Sequence, residues 1–210
     1  MSVLIATPSY DGQVCGEYLH SLLKATTTVD FELALIAGVH FIDTARDIAA
    51  AKLLDSKHEY LMFIDSDLGW NGDAISQLIS HNKDIVGGAY RIKHDTELYP
   101  VDYRANETQD GLLRANSLPA GFLCIHRRVI ERMASAYPSY QFVVKDAFKR
   151  IPALFSRALM DDRMVSEDIM FCKRASAAGF DLWLDPTITF GHIGSKAFIG
   201  NFATYLEGQQ

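Results

Sequence analysis

No stretch of this 210-residue chain approaches the roughly 20 consecutive apolar residues that a membrane-spanning helix requires. The opening Met1-Ser2-Val3-Leu4-Ile5 runs straight into strand-like sequence and lacks the basic segment and long apolar core of a secretion signal. Cysteine is scarce. Cys15, Cys124 and Cys172 are odd in number and far apart, which excludes a disulfide framework or a zinc spacing and fits reduced thiols in a cytoplasmic setting. Basic excess is missing too: 20 Lys and Arg face 26 Asp and Glu, a net charge of −6, so no nucleic-acid partner is expected. An acidic balance still admits a phosphate-bearing substrate, because a bound metal ion can supply the local positive charge. Internal repeats, low-complexity segments and a clear linker are all absent. A chain of this length with 49% hydrophobic residues builds one sizeable core, so a single domain is expected over residues 1–210, alone or within a longer polypeptide.

What is present in the first half is an alternation of two periodicities. Val3 to Thr7 reads as a strand that stops at the turn cluster Pro8-Ser9-Tyr10-Asp11-Gly12. Residues Cys15 to Ala25 carry Tyr18, Leu19, Leu22 and Leu23 at helical spacing. Phe31 to Ala37 is a second strand, stopped at Gly38, and Asp43-Thr44 is placed to cap an Ala-rich helix reaching Leu54. Tyr60 to Ile64 is a third strand, Asp73 to Ser80 a short helix, and Ile85-Val86-Gly87-Gly88 the start of another extended segment. This order predicts a Rossmann-like α/β sheet with parallel crossovers. The glycine-rich dinucleotide fingerprint is not there; Thr7-Pro8-Ser9-Tyr10 occupies its place, which argues against NAD or FAD.

The second half is less regular. Lys93 to Ser117 predicts a loop or ribbon over the sheet edge, Gly121 to Ile125 a strand, and Arg128 to Ala136 a helix. Tyr137 to Arg163 has no firm period. Ser166-Glu167-Asp168 opens a helix that runs to Ala178 and ends at Gly179, and Asp181 to Leu184 is a last strand before a Gly191-His192-Ile193-Gly194 turn.

Two acidic pairs stand out against this frame. Asp65-Ser66-Asp67 follows the unbroken apolar strand Tyr60–Ile64, at the end where ligands bind in open α/β sheets. Like charges beside a buried strand need a cation or donors, and a hard divalent ion that takes substrate phosphates as further ligands would serve. The plainer alternative is a capping Asp65 and a solvated Asp67. Glu167-Asp168 sits in a first helical turn, where acids are also ordinary capping chemistry.

Taken in order, Ala6-Thr7-Pro8-Ser9-Tyr10, Ala45-Arg46-Asp47, Phe63-Ile64-Asp65-Ser66-Asp67, Ala120-Gly121-Phe122 leading to Arg127-Arg128, Ser166-Glu167-Asp168 and Gly191-His192 resemble the GT-A nucleotide-sugar glycosyltransferases. The pattern is most similar to the small family-2-type domains of bacterial, phage and large-virus genomes. The resemblance implies a mixed, mainly parallel GT-A sheet, with residues 1–92 as the nucleotide half and 93–210 as the acceptor half. It implies metal-dependent transfer from a nucleoside diphosphate sugar, UDP-linked by preference, to a carbohydrate or glycoconjugate hydroxyl. Asp65, Asp67 and His192 would hold Mn²⁺ or Mg²⁺. Thr7, Pro8, Ser9, Tyr10, Arg46, Asp65, Ser66 and Lys93 would contact the donor, with Lys196 as a weaker diphosphate candidate. Asp168, with Glu167 beside it, would act on the acceptor, inversion being favoured over retention. Residues 150–163, Asp161-Asp162-Arg163 included, would form a lid or acceptor loop. Two other readings compete. A sugar nucleotidyltransferase shares the sheet and the acids but usually carries a basic glycine-rich loop after the first strand, and a binding module without chemistry would not need the full acid set.

Overall fold

The computed structural model describes residues 2–144 and 147–209; Met1 and Gln210, the ends of the expected domain, lie outside the described residues. The chain opens with β1 (Ser2–Pro8), α1 (Gly16–Ala25), β2 (Asp30–Ile36), α2 (Ile42–Asp55) and β3 (Tyr60–Ile64). Both β2 and β3 pair in parallel with β1, so the first half is a βαβαβ unit. Then follow β4 (Leu68–Trp70), α3 (Ala74–Ser80), β5 (Ile85–Gly88), β6 (Asp102–Gln109), β7 (Leu112–Ser117), β8 (Phe122–His126) and α4 (Arg127–Ala136). The remainder is β9 (Ser139–Val144), β10 (Ala147–Pro152), β11 (Ala158–Met160), β12 (Arg163–Val165), α5 (Glu167–Ala177), β13 (Leu182–Asp185), β14 (Thr189–Ile193), β15 (Ala197–Asn201) and α6 (Phe202–Glu207).

The main sheet has eight strands in the order β2-β1-β3-β8-β5-β13-β7-β6. It is mixed: β8 and β7 run against all the others. Strand β8, from the second half, inserts between β3 and β5 of the first, so the two halves share one sheet. Every residue of β3 is buried, and alternate side chains serve opposite layers. Leu61 and Phe63 pack with α2, α4 and α5, while Tyr60, Met62 and Ile64 pack with α1 and α3. The small side chains of Ala45, Ala49, Ala50 and Ala51 let α2 lie close against the sheet.

Several local expectations shift. Of the helically spaced residues in α1, Tyr18 and Leu22 are buried but Leu19 and Leu23 face solvent, because the contact stripe is narrower than the apolar spacing. Asp43-Thr44 does not cap α2; Phe41 holds the cap position, and Asp43 lies in the first turn accepting from the Thr44 amide at 2.7 Å. Of the 93–117 ribbon, residues 102–117 form the β6-β7 hairpin at the sheet edge, closed by Asp110-Gly111 with φ of +54° and +80°, a two-residue turn of primed type, and the residues before it are loop. Arg127 is structural, donating to the Leu53 and Ser56 carbonyls at the exposed end of α2. Of the aperiodic 137–163 stretch, β9 pairs antiparallel with β10 and β11 with β12, while residues 145–146 lie outside the described residues. Gly191-His192 is strand, not turn: β14 pairs with β15 and with β4 in a second, three-stranded sheet. No described helix is long and apolar enough to cross a membrane.

Candidate active site

The carboxyl end of β3 turns sharply because Leu68 donates its N–H to the Asp65 carbonyl at 3.2 Å. The two aspartates of Asp65-Ser66-Asp67 consequently face different surroundings. Asp65 looks inward. Its amide donates to the Gly121 carbonyl at 2.9 Å, and its Oδ1 accepts from Arg46 Nη2 at 3.3 Å. Arg46 rises from the first turns of α2, is 3% exposed, and also donates to the Ala120 carbonyl at 2.9 Å and to Glu167 Oε1 at 3.3 Å. Its guanidinium carbon lies 5.3 Å from the centre of the Phe63 ring. Burial works against its charge, but Asp65 and Glu167 outweigh that and hold the guanidinium more firmly protonated than usual. One planar fork therefore joins α2, the end of β3, the β7-β8 connection and the start of α5.

Tyr90 completes this inner cluster. It is buried, and a Cβ built on Gly121 would collide with Tyr90 Oη and come within 2.5 Å of Asp65 Oδ2, so only glycine fits there. Burial, then the nearby Asp65 charge, push the Tyr90 hydroxyl well above its ordinary range. Asp168 lies one residue beyond Glu167, half-buried. Its Oδ1 accepts from Ser166 Oγ and from the Ile169 amide, the latter at 2.7 Å. Ser166 thus occupies the cap position of α5 but spends its hydroxyl on Asp168 instead of on the helix backbone.

Asp67 looks outward. Its Oδ2 meets Lys93 Nζ at 2.5 Å and His192 Nε2 at 3.5 Å. Burial raises its pKa, but the His192 and Lys93 contacts overcome this and hold it at about 2. Strand β14 brings His192 here by pairing it with Leu68, while the Ile193 amide donates to the Asp67 carbonyl at 2.8 Å. His192 Nδ1 is 2.9 Å from the Arg91 carbonyl and so carries a proton, while Nε2 is the nitrogen that faces Asp67. That is the orientation of a metal-ligating imidazole, so Asp67 and His192 fit a divalent ion that keeps waters and takes phosphate oxygens. Asp65 is not brought to them, and among the described residues no three His, Cys, Asp or Glu side chains form a metal cage.

Of the first-strand turn, Thr7, Pro8 and Ser9 are buried and Tyr10 is exposed. The Thr7 hydroxyl is 2.6 Å from that of Tyr18, tying β1 to α1, and Ser9 donates to the Gln13 carbonyl at 2.7 Å within the turn. Tyr10 stands against His40, ring centres 4.7 Å apart and Oη 3.1 Å from Nε2, forming an aromatic ledge at the ends of β1 and β2. The Ser66 carbonyl accepts from the Cys15 amide at 2.9 Å, tying the acidic turn to the start of α1. Lys196 spends its ammonium on Asp95 at 2.5 Å, and its carbonyl accepts from the Gly194 amide at 2.9 Å.

Asp47 carries a role that motif reading missed. It is 1% exposed, and its Oδ1 accepts from the Leu154 and Phe155 amides, both at 2.9 Å, while Tyr140 donates to Oδ2 at 3.1 Å. Burial raises its pKa to about 6 against the opposing effect of those bonds. Asp47 thereby pins to α2 the segment that leads into the β11-β12 hairpin and on to Asp168. A carboxylate in an otherwise Ala-rich helix was the available signal. Tyr90 gave none, since it ends an apolar run like any core tyrosine.

No protein-family model matches the chain, and no curated protein matches it in sequence. Solved structures do match it in shape. A197 from STIV superposes over 92% of this chain and 86% of its own, with a TM-score of 0.59 and 17% identity. S. aureus TarS in complex with UDP-GlcNAc matches over 88% of this chain at a TM-score of 0.50 and 14% identity. GalNAc-T7 with UDP, GalNAc and Mn²⁺ matches over 92% at 0.51 and 12%. This chain spans 56% of that TarS chain and 44% of that GalNAc-T7 chain. The fold expected from the motif order is therefore the one found, that of the GT-A nucleotide-sugar glycosyltransferases.

Proposed function

We propose that this chain transfers a sugar from a nucleoside diphosphate sugar, UDP-linked by preference, to a hydroxyl of a carbohydrate or glycoconjugate acceptor in the cytoplasm. The carrying observation is the Arg46 fork, which draws the Asp65 end of β3 and the Glu167-Asp168 end of α5 to one point at the carboxyl edge of a GT-A sheet. In this reading the Tyr10-His40 ledge stacks on the nucleotide base, with the Thr7-Pro8-Ser9 turn and Ser66 shaping the wall beneath the ribose. Asp67 and His192 hold Mn²⁺ or Mg²⁺. When bound, such an ion stabilises the departing diphosphate as a Lewis acid. Lys93 adds positive charge at the diphosphate edge.

Asp168 is assigned as the general base. Its Oδ1 is fixed by Ser166 and Ile169, which orients the carboxylate and leaves Oδ2 for the acceptor hydroxyl. As the acceptor oxygen bonds to the anomeric carbon and the carbon–oxygen bond to the diphosphate breaks, the hydroxyl proton passes to Oδ2. Such a single displacement inverts the anomeric centre. Arg46 and Glu167 position this base and do not touch the reacting atoms.

Melting the protein with UDP, GDP, dTDP and CMP sugars, with and without Mn²⁺, tests the reading, since only a ligand of the native state raises the midpoint. A UDP-sugar shift that needs Mn²⁺ is expected. A GDP response without a UDP response overturns the base preference, and silence across the panel overturns the donor class.

A further inference from the structure

The Asp67 oxygen that faces His192, and that would ligate a divalent ion, already meets a positive charge. Lys93 Nζ contacts Asp67 Oδ2 at 2.5 Å, the same oxygen that His192 Nε2 approaches at 3.5 Å. This is a built position. Lys93 rides on a strap in which Arg91 Nη2 donates to the His94 and Asp95 carbonyls, at 3.0 and 2.7 Å, and the Ile92 amide donates to the Leu98 carbonyl at 2.9 Å. The Arg91 carbonyl of the same strap orients His192. The lysine stem passes Gly194 closely enough that a Cβ there would lie 3.1 Å from Lys93 Cδ. At 35% exposure, the stem nevertheless has an open path toward solvent.

We infer that Lys93 is a resident cation that a divalent ion must displace from Asp67, so that metal and nucleoside diphosphate bind this site as a pair. The inference rests on the metal-dependent transfer proposed above. Two cations cannot share one carboxylate oxygen without repulsion, and an ammonium on a four-carbon stem is the one able to move. Metal binding alone breaks the Lys93–Asp67 pair and leaves the ammonium beside a dication. A diphosphate arriving with the metal gives the displaced ammonium a new anionic partner. Each ligand therefore raises the affinity of the other, by the same factor in both directions.

Mn²⁺ titration of the full chain, followed by the electron paramagnetic resonance signal of free Mn²⁺ with and without UDP, tests this without any turnover. Lys93→Met keeps the stem and removes the charge. It should bind Mn²⁺ roughly tenfold more tightly than wild type in the absence of UDP, and the enhancement by UDP should shrink by a similar factor. Lys93→Arg, which keeps the charge, should retain weak binding of Mn²⁺ alone. Unchanged or weaker Mn²⁺ binding by Lys93→Met, in a variant that melts like wild type, overturns the inference while the metal site stands. If wild type binds UDP equally in Mn²⁺ and in EDTA, the metal reading itself fails, and this inference with it.

Discussion

Asp65 and Asp67 are two residues apart and belong to different worlds. Asp65 joins a closed network in which a guanidinium at 3% exposure is shared with Glu167 and the Ala120 carbonyl. Asp67 joins an open one, where its partners are a movable ammonium and an imidazole. In the closed network Arg46 and Glu167 have given up most of their water and must stay paired. Charges in the open one can exchange partners at little cost. The tripeptide thus sits astride the boundary between scaffold and working surface, and substitutions should separate the two.

The largest effect is expected on the closed side. Arg46→Ala strands Asp65 and Glu167 and should cost about 3–5 kcal/mol of unfolding free energy, measured by urea denaturation. A loss near that of an exposed ion pair would erase the distinction. Next comes Asp168→Asn, at the rim of the closed network, which should lower kcat about 10²-fold while donor binding stays nearly intact. Loss of that first-turn acid costs stability only on the order of 0.3–1 kcal/mol, so a large activity loss is chemical in origin. Wild-type turnover by the Asn variant would make Asp168 a helix-start acid only and turn attention to Glu167 and a retaining mechanism.

Asp47 tests the closed side by pH. Its folded pKa of about 6 lies above the unfolded value, so its contribution is complete below about pH 4 and is lost as pH rises through 6. The span is about 3 kcal/mol. Asp47→Asn keeps an acceptor for the Leu154 and Phe155 amides, and its stability relative to wild type should climb as pH rises across that window. A pH-independent difference would mean that Asp47 titrates normally. The smallest stability change belongs to the open side. Asp67→Ala should shift the melting point by no more than an exposed ion pair does, under about 1 kcal/mol, yet abolish the Mn²⁺ dependence of nucleotide binding. Metal dependence that survives this substitution would remove Asp67 from the ligand set.

The elements that the sequence makes legible are those whose burial is written into local periodicity. Strand β3 reads as fully apolar because both faces are covered, and its limits match the run Tyr60–Ile64. The helix stop at Gly179, with φ of +89°, is written in one residue. The strand pairs of 137–163 are not legible, because exposed edge strands such as β11, with Leu159 open to solvent, carry no alternation to read. His192 reads as a turn residue since Gly191 and Gly194 flank it; only pairing with β4 makes it a strand residue facing Asp67.

By itself the sequence determined the βαβαβ start, the order of the motifs and the chemical types at the site, because helix and strand periods and residue identities are local properties. The tertiary structure alone decided which acid faces which cation. Arg46 and Glu167 are 121 positions apart, and Lys93 and Asp67 are 26 apart. Pairings over such distances depend on how the strands order in the sheet and on what each side chain gives up in water to reach its partner, and neither is encoded in any window of the chain.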